Sequence, residues 1–303
     1  MNEPRIAVVI PCYNDGAFIT EAVASVGEQE PCELVIVDDG STDSESLRVL
    51  ADLERSGVRV VRQENRGFCA ARMTGVAATS ARYVHPLDAD DRFPPGVLTA
   101  LADALDADLE AQAAWGDIRT FGALDCYSPQ ARQLDPWRIT YFDEIPGTSL
   151  LRRRALLDTG GWDMGSGFAD WDLWMKGAER GWRGVHLPVV TLLYRQHPVP
   201  RMYAESLHHA DQLKELLRSR HPGLFRDRPR NWLRSRSPWP IKVLWPAIDS
   251  MPLRAARKHQ LYALARHLFE RQMSSDCFRG PVTRARELVG RARGGVAGGD
   301  PNP

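Results

Sequence analysis

Short apolar runs alternate with helix-like stretches through the first hundred residues. Four runs have the length and composition of buried strands, at residues 5–11, 33–37, 58–62 and 83–87. Between them, helical spacing of apolar residues or helix-capping chemistry marks three segments, at residues 17–29, 40–55 and 68–79. Apolar runs separated by helical segments are typical of parallel strands joined by crossover helices. The pattern predicts an α/β fold in which helices flank one sheet.

Acidic residues stand where two of these runs end. Asp38 and Asp39 end the second run, and Asp88, Asp90 and Asp91 follow the fourth. In open α/β sheets, ligands bind outside the carboxyl ends of the strands. The sequence therefore predicts a ligand site at this edge of the sheet.

The turn after the fourth run crowds three carboxylates into positions 88–91. Solvent, basic partners or a bound cation must offset their mutual repulsion. Mg²⁺ and Mn²⁺ prefer hard oxygen ligands, and they commonly keep few protein carboxylates so that substrate phosphates complete the shell. The alternative is a solvated turn that caps the helix beginning near Pro94.

Four segments in this order resemble family 2 of the glycosyltransferases: Val-Val-Ile-Pro-Cys-Tyr-Asn-Asp (8–15), Val-Ile-Val-Asp-Asp-Gly-Ser-Thr-Asp (35–43), Asn-Arg-Gly-Phe-Cys-Ala-Ala-Arg (65–72) and Leu-Asp-Ala-Asp-Asp (87–91). The resemblance continues through residues 160–163 and 170–174 and fades after about His197. It implies a GT-A fold, which is a Rossmann-like nucleotide-binding mixed sheet flanked by helices. We expect this domain at residues 1–225, with a nucleotide-sugar half at about 1–92 and an acceptor half at about 93–225.

The resemblance also implies a nucleotide site. Pro11 and Tyr13 are expected to line the pocket, Asp39 to hydrogen-bond the base, and Arg72 to approach the nucleotide. A Tyr face stacks well on a base, and a carboxylate at a strand end accepts from an imide or a ribose hydroxyl. A UDP or dTDP sugar is the favoured donor, with GDP possible. Without the resemblance, Tyr13 reads as a packed core aromatic and Arg72 as an ordinary surface arginine.

By the same resemblance, Asp88 and Asp90 form the Asp-x-Asp motif, and Asp90 is the expected direct ligand of Mn²⁺ or Mg²⁺. His197 falls where some family members place a histidine that touches the metal or the diphosphate. Asp170 is the expected base that takes a proton from the acceptor hydroxyl, although Ala169 replaces the usual preceding Glu. The alternative for Asp170 is a helix N-cap.

Composition limits the class of protein. The chain has 303 residues, of which 43% are hydrophobic and 26% charged, as in ordinary soluble globular proteins. Five cysteines without a Cys-x-x-Cys pair favour a reduced, cytoplasmic setting. The start does not read as a secretion leader, and no run of about 18 apolar residues occurs, so we expect neither export nor a membrane-spanning helix. Nothing indicates a nucleic-acid partner.

The zero net charge hides an asymmetry. Residues 1–225 hold 23 Lys and Arg against 33 Asp and Glu, a net charge of −10, and residues 226–303 hold 16 against 6, a net charge of +10. The basic segment mixes arginines with Trp232, Trp239 and Trp245, which favours either peripheral contact with a membrane at its inner face or a helical subdomain folded over the acidic body. We expect a basic helical extension at 226–293 and a disordered tail at 294–303.

Together these features predict a metal-dependent, inverting, non-processive glycosyltransferase. It would move a sugar from a nucleotide-diphosphate sugar to a hydroxyl of a glycan, a lipid-linked sugar or a small molecule, in glycan, glycolipid or cell-envelope polysaccharide biosynthesis. Processive members of the family carry a Gln-x-x-Arg-Trp motif and membrane helices, which this sequence lacks. Two alternatives are a non-catalytic sugar-nucleotide or glycan-binding module and a haloacid-type phosphatase. Pro11-Cys12-Tyr13 argues against the phosphatase, whose first strand ends on a nucleophilic Asp.

Overall fold

The computed structural model describes residues 3–165, 167–197 and 209–270. The strands in these ranges are β1 (Ile6–Cys12), β2 (Glu33–Asp38), β3 (Arg59–Arg62), β4 (Tyr83–Pro86), β5 (Ala111–Gly122), β6 (Cys126–Ser128), β7 (Leu150–Arg152) and β8 (Arg183–Gln196). The α-helices are α1 (Gly16–Gly27), α2 (Ser44–Arg55), α3 (Phe68–Ala77), α4 (Val97–Ala107), α5 (Arg153–Asp158), α6 (Ala169–Glu179), α7 (Ala210–Arg220), α8 (Pro222–Arg226), α9 (Arg228–Arg234), α10 (Trp239–Ser250) and α11 (Ala255–Glu270), and a 3-10 helix spans Arg138–Thr140.

The strands form one mixed sheet in the order β3-β2-β1-β4-β7-β5-β6, and β8 pairs with β5. β3, β2, β1 and β4 are parallel, whereas β7 runs antiparallel between β4 and β5. The parallel half and its crossover helices confirm the predicted α/β fold. Because these strands are parallel, the ends of β1, β2 and β4 lie at the same edge of the sheet.

Both faces of the parallel half are covered, as the continuous apolar runs require. Alternate residues of β1 point to opposite sides, so Ile6, Val8 and Ile10 enter one core cluster and Val9 enters another. Gly75 of α3 allows that helix to lie directly on β1, because a Cβ there would collide with the side chain of Val9. The closely packed sheet is a rigid frame for its carboxyl edge.

The C-terminal helices pack on the body rather than standing apart from it. Trp137, Tyr141 and Phe142 share a third core cluster with side chains of α10 and α11, including Trp245 and Tyr262. Buried ion pairs reinforce the contact: Arg138 bridges Glu144 and Glu270, and Arg266 pairs with Glu144 at 3.1 Å. The predicted helical C-terminal region is therefore confirmed as far as Glu270. The rest of the 226–293 extension and the 294–303 tail lie outside the described residues.

Two expectations concern cysteines and membranes. Cys12, Cys32 and Cys69 are free. Cys126 is disulfide-bonded, which departs from the reduced setting that the cysteine pattern favours. None of the helices described above combines the length and the apolar character that crossing a membrane requires.

Candidate active site at the carboxyl edge of the sheet

The ends of β1 and β2 bring the predicted base-binding residues side by side. The backbone N–H of Asp39 donates to the carbonyl of Cys12 at 2.8 Å, and Pro11 pairs with Val37 in the sheet register. Tyr13 follows β1 directly and is 46% exposed, so its side chain faces solvent instead of the core. An exposed Tyr beside a buried strand-end carboxylate is a suitable surface for stacking a base.

The carboxylate of Asp39 also shapes the loop before α3. It accepts hydrogen bonds from Gln63 Nε2 at 2.6 Å, from the Arg66 N–H at 2.9 Å and from the Gly67 N–H at 2.8 Å. Oδ1 receives the first two and Oδ2 only the third, which leaves Oδ2 able to accept from a ligand. Asp39 thus fixes the loop and keeps accepting capacity at the site.

The acidic turn after β4 is tied to the end of β8. The N–H of Asp91 donates to the carbonyl of Asp88 at 3.0 Å, and Arg92 and Leu193 exchange backbone hydrogen bonds of 3.0 and 2.9 Å. The Asp91 carboxylate accepts the N–H of Arg195 at 2.8 Å, while its Oδ2 is buried and has no hydrogen-bond partner among the described residues. Burial, and after it the charge of Asp88, raises the pKa of Asp91 well above its usual range. This connection carries the last residues of β8 over the acidic turn.

His197 reaches Asp90 by this route. Its Nε2 lies 2.7 Å from Asp90 Oδ2, and its ring packs edge-on against Phe18 with centroids 5.2 Å apart. Nε of Arg195 donates to the Asp90 carbonyl at 2.8 Å, which fixes the backbone of the same residue. Burial and the charge of Asp88 raise the pKa of Asp90, although the His197 hydrogen bond opposes the shift. The structure therefore brings Asp90 and His197 together.

Arg72 is buried beneath the site and joins its two halves. Its Nη2 donates to Asp88 Oδ1 at 2.9 Å, and its Nη1 donates to Asp170 Oδ1 at 2.7 Å. The rings of Phe68 and Trp162 lie 5.1 and 5.2 Å from the guanidinium carbon. The alternative interpretation of Arg72 as an ordinary surface arginine is wrong, because this side chain is only 3% exposed.

Asp170 lies in the first turn of α6, with its carboxylate turned toward Arg72. Oδ1 also accepts the indole N–H of Trp162 at 2.8 Å. Phe168 occupies the N-cap position, so the alternative that Asp170 caps the helix is wrong. Gly147 lies against the other side of the carboxylate, and a Cβ there would overlap it. Asp170 is therefore held by two donors and one close backbone contact.

The loop that carries Trp162 is tied to α6 by charge. Lys176 Nζ donates to the Gly161 carbonyl at 2.9 Å and pairs with Asp163 and Asp172. These contacts fix the loop on which the indole of Trp162 stands. The placement of Asp170 thus depends on α6 and on the loop before it.

Sequence reasoning missed three residues around Asp170. Trp162 stands in the Gly-Gly-Trp-Asp segment, and that motif was the available signal. Gly147 and Asp143 have no local signal, because they reach Asp170 only through the fold of the segment before β7. Burial, and then the charge of Asp170, raises the pKa of Asp143 well above its usual range. At position 169, by contrast, the alanine is 1% exposed and belongs to the core.

The acidic turn carries donor groups that fit a divalent cation. Asp88, Asp90 and His197 supply carboxylate and imidazole donors, which suit Mn²⁺. Within the described ranges, no three His, Cys, Asp or Glu side chains converge closely enough to hold an ion unaided. Oδ2 of Asp91, which has no partner in the ranges described, marks further acceptor capacity in the same turn. The residues fit an ion whose coordination shell is completed by oxygens from another molecule.

Comparison with known proteins adds sequence relatives. The family model described as "Glycosyl transferase family 2" matches residues 7–160. The chain is 36% identical over 177 residues to "Succinoglycan biosynthesis protein ExoU" of Rhizobium meliloti, which covers 52% of this chain and 51% of that protein. It is 26% identical over 189 residues to "Chondroitin synthase" of Escherichia coli, which covers 59% of this chain and 27% of that protein. The chain thus spans about half the length of the first relative and less of the second.

Solved structures share the architecture. TarS of S. aureus in complex with UDP-GlcNAc has a TM-score of 0.58 at 18% identity, over 88% of this chain and 73% of that chain. The mannosyltransferase PcManGT of Pyrobaculum calidifontis, in complex with GDP-Man and Mn²⁺, has a TM-score of 0.51 at 21% identity, over 89% and 82%. At such identities the likeness shows the fold alone, and it confirms the predicted GT-A fold.

Proposed function

Because the chain belongs to glycosyl transferase family 2, we propose that it is a metal-dependent, inverting, non-processive glycosyltransferase. One observation carries the proposal: Arg72 joins Asp88 of the acidic turn to Asp170 at the start of α6, with contacts of 2.9 and 2.7 Å. A donor-binding carboxylate and a base must lie close together for sugar transfer, since the acceptor hydroxyl attacks the carbon that the diphosphate leaves. Here one side chain links the two.

On the donor side, Tyr13 would stack on the base, Pro11 would line the pocket, and Asp39 Oδ2 would accept from the base or ribose. We favour a UDP or dTDP sugar, with a GDP sugar possible, and the two structural relatives named above contain UDP-GlcNAc and GDP-Man. Asp90 would hold Mn²⁺ or Mg²⁺ with Asp88 and His197. When bound, the ion supplies Lewis-acid stabilisation of the diphosphate leaving group.

On the acceptor side, Asp170 would take the proton from the attacking hydroxyl. Arg72 and Trp162 both donate to Oδ1, which leaves Oδ2 to receive that proton. A single base and a single displacement opposite the leaving group invert the configuration at the sugar carbon. Names such as succinoglycan biosynthesis protein and chondroitin synthase among the relatives favour a growing polysaccharide, glycolipid or other lipid-linked glycan as the acceptor, with a small molecule as the remaining class.

The test is hydrolysis of a panel of nucleotide sugars with Mn²⁺, followed by transfer to glycan acceptors. Asp90→Asn is expected to slow hydrolysis of the preferred donor about 100-fold or more, because the ion loses its direct ligand. Asp158→Asn, at the exposed end of α5, is the matched control and should behave as wild type. If Asp90→Asn hydrolyses the donor as fast as wild type, the metal assignment is wrong.

Of the two alternatives, membership of the family sets the phosphatase aside. The non-catalytic module predicts a different outcome of the same test. Calorimetry would then show metal-dependent binding of nucleoside diphosphate, with no hydrolysis and no transfer to any acceptor. Turnover by wild type excludes the module.

We also propose that the enzyme works in the cytoplasm, at the inner face of the membrane. Leu233, Trp239 and Val243 of α9 and α10 are 72%, 66% and 47% exposed, next to exposed basic side chains: Arg230, Arg234 and Arg236. Exposed Trp and Leu among arginines favour an anionic lipid surface. Trp239→Glu should reduce co-sedimentation with anionic vesicles at low salt. Leu109→Glu, at a 76% exposed position after α4, is the control, and equal sedimentation of both variants would contradict the proposal.

A further inference from the structure

We propose that Arg72 couples cation binding at the acidic turn to the positioning of Asp170. One guanidinium serves two carboxylates, so a cation that takes over the neutralisation of Asp88 leaves Arg72 to Asp170. Arg72 is in this sense a positioning residue, which acts through the two acids and not on the substrate. The inference rests on the proposed function, because it assigns Asp88 to the cation site and Asp170 to the base.

The geometry divides the guanidinium between the two acids. Nη1 binds Asp170 at 2.7 Å and Nη2 binds Asp88 at 2.9 Å, so neither contact excludes the other. Phe68 and Trp162 contact the guanidinium and restrict its movement. Arg72 is almost fully buried, whereas both carboxylates are about one-third exposed on the side of the site. Ligands therefore reach the two acids but not the arginine between them.

Charge determines the direction of the coupling. A divalent cation beside Asp88 repels the positive charge of Arg72 and competes with it for the same carboxylate. The Arg72 contact with Asp88 weakens, and the guanidinium is left more fully to Asp170, whose carboxylate the cation does not bind. Low solvent access around Arg72 makes these interactions stronger than they would be at the surface.

Coupling between cation binding and the Arg72–Asp170 contact must act in both directions. If cation binding at Asp88 favours the contact between Arg72 and Asp170, then loss of the Asp170 charge must disfavour cation binding. Arg72 is then left to Asp88 alone and opposes the cation there. A residue that faces the acceptor is thus expected to affect Mn²⁺ affinity on the donor side. In the working enzyme, the base would be fully held by Arg72 only after the cation and the donor are in place.

The experiment measures Mn²⁺ affinity in the presence of saturating UDP, by electron paramagnetic resonance of the free ion. Asp170→Asn is expected to weaken Mn²⁺ binding about five-fold or more, the lower end of common coupling strengths. Asp158→Asn is the control, because it removes the same charge from an exposed position at the end of α5, away from the contacts that place Asp170. Its affinity should stay within about two-fold of wild type. Near-ultraviolet circular dichroism verifies that each variant is folded.

A second variant tests whether Arg72 opposes cation binding, as the coupling requires. Arg72→Gln removes the competing cation and should tighten Mn²⁺ binding by about five-fold. Weaker Mn²⁺ or UDP binding by this variant would instead indicate that Arg72 holds the nucleotide or only the fold, and would overturn the coupling. Unchanged affinity in Asp170→Asn, or an equal loss in Asp158→Asn, would also overturn it while leaving the proposed function intact. Wild type that takes up no Mn²⁺ with UDP would overturn both.

Discussion

Trp245→Ala is expected to destabilise the protein by about 3–5 kcal/mol, as is typical for removal of a large buried aromatic ring. Trp245 lies in α10 and is 0% exposed. Its ring stacks on Trp137 of the body at 5.9 Å and packs against Tyr262 of α11 at 5.4 Å. The guanidinium of Arg138 lies 4.8 Å above the same ring. One side chain of α10 thus contacts both the body and α11.

The magnitude follows from the area lost. A buried Trp side chain covers about 150–250 Å² of surface, which at about 25 cal/mol per Å² corresponds to roughly 4–6 kcal/mol as an upper bound. Its indole N–H has no hydrogen-bond partner in the described part of the chain, so the loss is one of apolar packing. The cavity is lined by rings from three segments, and their rigidity limits its collapse.

Urea unfolding followed by circular dichroism measures the effect. Trp239→Ala, on the same helix but 66% exposed, is the matched control and should change the free energy of unfolding by no more than about 0.5 kcal/mol. Equal midpoints for the two variants would refute the reasoning, because they would mean that α10 does not pack on the body. An early separate transition in wild type would refute it as well.

Three further predictions concern the acceptor side and its supports. Gly147→Ala should lower sugar transfer about 100-fold, because its Cβ displaces the Asp170 carboxylate, and calorimetry with UDP in the absence of a divalent cation should show unchanged nucleotide binding. Burial alone would raise the pKa of Asp172, but hydrogen bonds from His221, Arg220 and Lys176 outweigh it and lower the pKa. Its stabilisation is therefore present above the unfolded-state pKa of 3.8 and is lost as pH falls below it, so Asp172→Asn should lower the urea midpoint at about pH 7 and flatten its decline toward about pH 3. Asp143→Asn should keep or raise the midpoint at about pH 7, because the folded state raises the pKa of that carboxyl. A fall of more than about 1 kcal/mol in the free energy of unfolding would show that Asp143 supports the fold as an anion.

The parallel half of the sheet was predictable because its signals are local. β1 and β2 are apolar runs, β3 and β4 have shorter apolar centres, and the structure places each strand within about two residues of the prediction. The three-residue β7, inserted antiparallel beside β4, has no such pattern. Its pairing depends on contacts between distant segments, which periodicity does not record.

The candidate site likewise contains residues that local sequence signals predicted and residues that they did not. Asp88 and Asp90 stand out because acids at a strand end are a local chemical feature, and the family motif supplied His197 from far along the chain. The family resemblance implied that Arg72 approaches the nucleotide, and nothing in its own helix shows that it is buried. Its role as a link requires Asp170, 98 residues away, and only the folded chain brings the two together.

The most direct test of the proposed donor site is a crystal structure of the protein soaked with UDP and Mn²⁺. We expect the uracil ring against Tyr13, within reach of Asp39, and the ion bound by Asp90 and by oxygens of the diphosphate. His197 should move from its hydrogen bond with Asp90 to contact the ion or the diphosphate. UDP bound away from the ends of β1 and β2, or a diphosphate at this edge with no ion beside Asp90, would contradict the assignment.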